Sequence, residues 1–199
     1  MEAFSDGVFS IAITLLVLDL VAPSVTGGSV GRRLIDEWPT YLAYLVSFAS
    51  IGAAWLSHST ITEYLDRADS VLLRLNLLLL LFVSVLPFPT RMLGEYLRET
   101  GAERIAVTAY GLNLLAISGL GSVLWHYAVS ARLTKGDLAD DDARAITSKL
   151  NPSLAFYAVT IAIGLLVPAA AVVLYLAIAL YLLIPFRAIA HQLRHRPAR

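Results

Sequence analysis

From Pro152 to Phe186 the chain carries no charged side chain, and uncharged runs of similar character recur upstream of it. A helix of about 20 such residues crosses a hydrocarbon core of about 30 Å, and water offers segments of this kind no matching environment. The stretch is too long for one crossing, and Pro168 lies near its middle. Two short helices, about 152–168 and 170–187, joined by a tight turn are expected there, with one kinked helix as the competing arrangement. The composition agrees: of 199 residues, 58% are hydrophobic and 15% charged, where soluble domains have about a quarter charged. Fifteen basic and fifteen acidic side chains cancel. No concentrated basic face marks a nucleic-acid partner, and without cysteine there is no disulfide or thiolate metal site.

The remaining runs predict four more spans. Helix one covers about 4–22, stopped by Pro23 and the Gly27, Gly28 loop. Helix two covers about 38–60 and continues toward Asp66. Helix three covers about 70–87 and ends at Pro87-Phe88-Pro89, because proline cannot extend the hydrogen-bond ladder. Helix four covers about 102–131. The segment from Arg132 to Lys149 reads as a solvated connector with a short helical piece. The expected fold is therefore an all-α integral membrane protein, one six-helix transmembrane domain over 1–199. The first run lacks a basic leader and carries Ser5, Asp6, Ser10, Thr14 and Asp19, so it reads as a retained helix and not a signal peptide. Basic residues favour the tail and the second and fourth connectors, which puts both termini in the cytoplasm of a multi-pass cell-membrane protein.

Polar groups within lipid-spanning helices are costly without partners, so each asks for a reason. On helix one, Phe4, Val8, Ile11, Leu15 and Leu18 form a stripe in alternating steps of four and three, suited to meeting a neighbour or copies of itself. Periodicity alone favours plain helix packing over pore lining. Asp19 is either a solvated cap or part of a ring that concentrates cations at a mouth. Trp55 and His58 share a face of helix two at the depth of Ser5 and Asp6. Either they bond to helix one or they are interfacial aromatic groups. Arg74, near Asn76, either snorkels to headgroups or pairs with Asp6. Asn113, Ser118 and Ser122, with Gly111, Gly119 and Gly121, read as interhelical glue and close-approach positions. No catalytic constellation, metal-ligand set or cofactor motif emerges; His58, His126, His191 and His195 are scattered.

Phe4-Ser5-Asp6-Gly7, continuing through Ile11, Thr14 and Leu15 to Asp19, resembles the first helix of the transmembrane protein 175 family, the lysosomal potassium channels and their prokaryotic relatives. Trp55, His58, Asn76 and Leu86-Pro87-Phe88-Pro89-Thr90 resemble that family's second and third helices. The second half resembles it by layout. The resemblance implies a passive, potassium-permeable channel of the prokaryotic single-repeat kind: a homotetramer whose four copies of helix one line a central pore, with no carbonyl filter. It places Ile11 at a hydrophobic constriction, Leu15 and Leu18 along the pore, and Thr14 in a hydroxyl layer. Phe4, Ser5 and Asp6 then anchor the end of helix one, with Trp55, His58 and Asn76 as partners. The family's arginine slot, four residues before the Phe, falls immediately before Met1; either the start of the sequence trims the helix or Asp6 is anchored otherwise, with Arg74 as a candidate partner. No cofactor is implied, only potassium as permeant ion, with lipid and other copies of the chain as partners. The competing function is a secondary, proton-coupled transporter titrating Asp6, Asp19 or His58, against which no inverted repeat or broken helix is evident. A non-transporting membrane scaffold ranks last.

Overall fold

The computed structural model describes residues 1–20, 31, 35–136 and 140–183. The expected stop of helix one at Ala22 and Pro23, the Gly27 and Gly28 loop, and the basic tail from Arg187 lie outside the described residues. Helix α1 runs Glu2–Leu15 and tightens into a 3-10 turn over Leu16–Asp19. Helix α2 is Trp38–Glu63, with Pro39 in the first turn where no amide hydrogen is required. Helices α3 and α4 are Ser70–Val85 and Pro87–Tyr96, α5 is Ala102–Ser130, α6 is Asp140–Leu166 and α7 is Pro168–Leu183. Among the described residues, four helical rods are long and apolar enough to cross a membrane: α2, α3 with α4, α5, and α6 from Ile146. The 16-residue α7 is apolar and shorter. The chain is an all-helical membrane protein.

Two elements differ from the sequence reading. The third span does not end at Pro87. Leu86 keeps helical torsions (φ −54°, ψ −35°), and α4 carries the rod on to Tyr96. Pro87 and Pro89 occupy the first turn of α4, where the amides they lack have no intrahelical acceptor, so the rod is interrupted locally and then resumes. The connector before the fifth span is also helical from Asp140, and Pro152 lies inside α6. The loss of one ladder bond there is offset by packing, because Ile146 and Leu150 are buried against Leu124 and Trp125 of α5. The chain reverses at Val167, whose carbonyl accepts from the amides of Ala170 and Ala171 in the first turn of α7.

Helix α5 is the central packing element, set against α3, α4 and α6, while α7 lies against α2 and α6. Two glycines allow the closest approaches. A Cβ on Gly111 of α5 would run into the Tyr175 hydroxyl of α7, and one on Gly164 of α6 would come within 2.8 Å of Val107. Asn113 donates to the Phe82 carbonyl at 3.1 Å, and Ser118 and Ser153 bond at 2.7 Å, so the polar groups read as glue do join helices. Asp69 caps α3, accepting the amides of Leu72 and Val71 at 2.8 and 3.1 Å and the Tyr127 hydroxyl at 2.6 Å. Helix α1 packs at one edge, on α2 and α3.

Candidate functional site

Helix α1 has two unlike faces. Ser5, Phe9, Ala12 and Leu16, spaced four, three and four apart, are buried against α2 and α3. Roughly 120° around the helix, at 100° per residue, the other apolar stripe faces outward. Phe4, Ile11 and Leu18 are 62%, 61% and 67% exposed, and Leu15 is exposed as well. Val8 of that stripe is half-buried against the core, but its other members are not on the packed face of the protomer. Thr14 lies beside it, exposed, its hydroxyl donating to the Ile11 carbonyl at 2.9 Å.

The buried face is held at one end by a directed chain of hydrogen bonds. His58 Nε2 donates to Asn76 Oδ1 at 2.7 Å, Asn76 Nδ2 donates to Ser5 Oγ at 3.0 Å, and Ser5 Oγ donates to the Met1 carbonyl at 3.2 Å. Ser5, His58 and Asn76 are all buried, so each bond forms in a low-dielectric setting where a missing partner is expensive. The opposite ring nitrogen, His58 Nδ1, is buried without a partner. The ring also lies against Phe9, centroids 5.5 Å apart. On the flank, Trp55 Nε1 donates to Asp6 Oδ1 at 2.8 Å. Three helices are thus joined: α1 through Ser5 and Asp6, α2 through Trp55 and His58, α3 through Asn76.

Arg74 is not brought to this cluster. It is exposed, and among the described residues no ion pair links it to Asp6. The reason is angular: two residues before Asn76, it points about 200° away on α3. Phe4 belongs with the exposed stripe and not with the buried chain. Phe9 and Leu16 were not singled out by sequence, although the spacing from Ser5 is their signal. Asp19 is half-buried at the end of the 3-10 turn, beside a hollow of about 250 Å³ that it lines with Leu18, Glu37, Thr40, Arg91 and Glu95. There Arg91 is paired with Glu95 at 2.8 Å. No group of side chains suited to a metal ion occurs among the described residues.

The family profile described as Endosomal/lysosomal potassium channel TMEM175 matches residues 1–87, the part that holds α1 and both of its partner helices. A potassium channel of Streptomyces collinus is 47% identical over 126 residues, 63% of this chain, which spans 61% of the length of that relative. A potassium channel of Chamaesiphon minutus is 40% identical over 168 residues, 82% of each chain. Among solved structures, the crystal structure of a lysosomal potassium-selective channel TMEM175 homolog from Chamaesiphon minutus superposes with a TM-score of 0.83 at 37% identity. That match covers 91% of this chain and 93% of the other. On the extent of these matches, the chain belongs to the TMEM175 family of potassium channels.

Proposed function

We propose that four copies of this chain close around a passive potassium path lined by the outward stripe of α1. The observation that carries the reading is the one-sided exposure of that helix: Phe4, Ile11, Leu15 and Leu18 face out while Ser5 and Asp6 are tied to α2 and α3. Ile11 forms the narrowest collar, where branched apolar side chains shut the path by contact and dewetting and open it by widening. Leu15 and Leu18 continue the lining. Thr14, its proton committed to the Ile11 carbonyl, leaves its oxygen lone pairs available to a passing cation. Asp19 adds negative charge at the mouth. The bonds through Ser5, Asp6, Trp55, His58 and Asn76 set the rotation of α1, and with it the direction in which Ile11 points.

Both termini lie in the cytoplasm of the cell membrane, as the distribution of basic residues supports. The family is one of channels and not enzymes, and conduction needs neither a coupled ion nor a cofactor. Potassium flux into liposomes tests the proposal. Wild-type protein passes potassium ahead of sodium with no proton gradient applied, and Ile11→Asn raises the leak by wetting the collar. Unchanged flux with both Ile11→Asn and Leu15→Asn removes α1 from the path.

A further inference from the structure

Away from α1, the helices α2, α3, α5, α6 and α7 line a partly open pocket with an inner volume of about 40 Å³, bordered in part by Ser50, Ser57, Ser118, Ser153 and Tyr157, of which Ser57 and Ser118 are half-buried. Ser50, Ser153 and Tyr157 are 4%, 1% and 3% exposed, so their hydroxyls sit in the protein interior. Three of the five hydroxyls are committed. Ser50 donates to the Val46 carbonyl at 2.8 Å and Ser153 to the Leu150 carbonyl at 2.7 Å. Ser118 therefore gives its proton to Ser153, 2.7 Å away, and keeps free lone pairs. The other two differ. Among the described residues, neither the Ser57 nor the Tyr157 hydroxyl has a hydrogen-bond partner in the protein. On the same helix, Ser50 and Thr60 bond back to carbonyls four residues earlier, and Ser57 does not.

We propose that this pocket is a built water site within the helix bundle of each protomer, in which one to three water molecules join the half-buried Ser57 of α2 to the buried Tyr157 of α6. One water needs roughly 10–15 Å³ of such space and two to four polar partners. The inner volume fits that number. Ser57 and Tyr157 each supply a donor and an acceptor, and the Ser118 and Ser50 oxygens supply further acceptors. The apolar side chains around them hold the water in place without competing for it. A bridging water gives both hydroxyls partners that the protein does not, at little cost beyond its own immobilisation. The site lies off the proposed ion path, so its presence does not depend on that reading.

The sign of a stability change decides the matter. Thermal unfolding in detergent is measured for Ser57→Ala, Tyr157→Phe and the double variant. With water bridging the two groups, each single substitution lowers Tm, and the double variant falls little further than the worse single, because both act through the same molecules. Ser57→Thr, which keeps the hydroxyl, retains the wild-type Tm. If the cavity excludes water, the two hydroxyls are unpaired and their removal leaves Tm unchanged or raises it, which overturns the proposal. Fully additive losses overturn it as well, since the hydroxyls then act separately. A high-resolution experimental map adds a direct readout: density within hydrogen-bond distance of both hydroxyls is expected, and a clear cavity without it is a refutation.

Discussion

Asn76 uses both ends of its amide, taking a proton from His58 and giving one to Ser5, and so it alone touches both partners of the buried chain. Truncation to alanine strands the buried His58 ring N–H and removes the donor to Ser5 Oγ, which keeps its own bond to the Met1 carbonyl. Asn76→Ala therefore lowers stability by about 1–3 kcal/mol, the usual cost of leaving buried polar groups unmade, read as a shift in unfolding in detergent. Arg74→Ala, on the outer face of the same helix, stays within about 0.5 kcal/mol of wild type. A large loss from Arg74→Ala, or none from Asn76→Ala, contradicts the geometry. The contrast also marks what the sequence makes legible. Ser5, Asp6 and Asn76 draw notice as polar groups in apolar helices, while Trp55 and His58 read as readily as interfacial aromatic groups until the family resemblance pairs them with helix one. For Arg74 the same logic leaves two placements open, headgroups or Asp6, and its exposed position fits the first. Phe9 carries only the weak signal of its spacing from Ser5, because a phenylalanine in a membrane helix does not by itself mark the side it packs on.

Among the elements, α1 is read correctly as apolar and periodic, yet periodicity cannot tell the stripe that packs from the stripe that is left out. Both Phe4-Ile11-Leu15-Leu18 and Ser5-Phe9-Ala12-Leu16 recur at helical spacing, and only the anchoring bonds decide between them. Proline misleads in two places. Pro87 and Pro89 mark a boundary that the rod crosses, because a proline in the first turn of a new helix leaves no amide unpaired. Pro152 sits inside α6 because buried neighbours on each side hold the helix together. The entry to α3 depends on charge. The Asp69 carboxyl titrates below its ordinary range because the Leu72 amide, the Tyr127 hydroxyl and the Val71 amide all favour the ionised form. A depressed folded-state value means that the stabilisation is complete above the ordinary carboxylate range and is lost as pH falls through the folded value. Wild-type Tm accordingly drops more than that of Asp69→Asn between neutral pH and pH below about 4. Equal drops in the two proteins remove Asp69 as the cause.

For the whole molecule, the outward stripe of α1 has meaning only in an assembly. A lone protomer presents Ile11 and Leu18 as it presents any other exposed apolar residue, such as Val173 of α7, which is 62% exposed. Exposure by itself does not separate an ion path from a lipid contact, but access from water does. The chain contains no cysteine, so single cysteines can be placed without background. The direct measurement is potassium flux through Ile11→Cys protein in liposomes before and after a water-soluble, cationic thiol reagent, with Val173→Cys, an exposed position outside α1, as the comparison. With α1 lining the path, the reagent suppresses flux through Ile11→Cys and leaves Val173→Cys unchanged; flux through Ile11→Cys that does not respond while its thiol stays unmodified excludes Ile11 from the path.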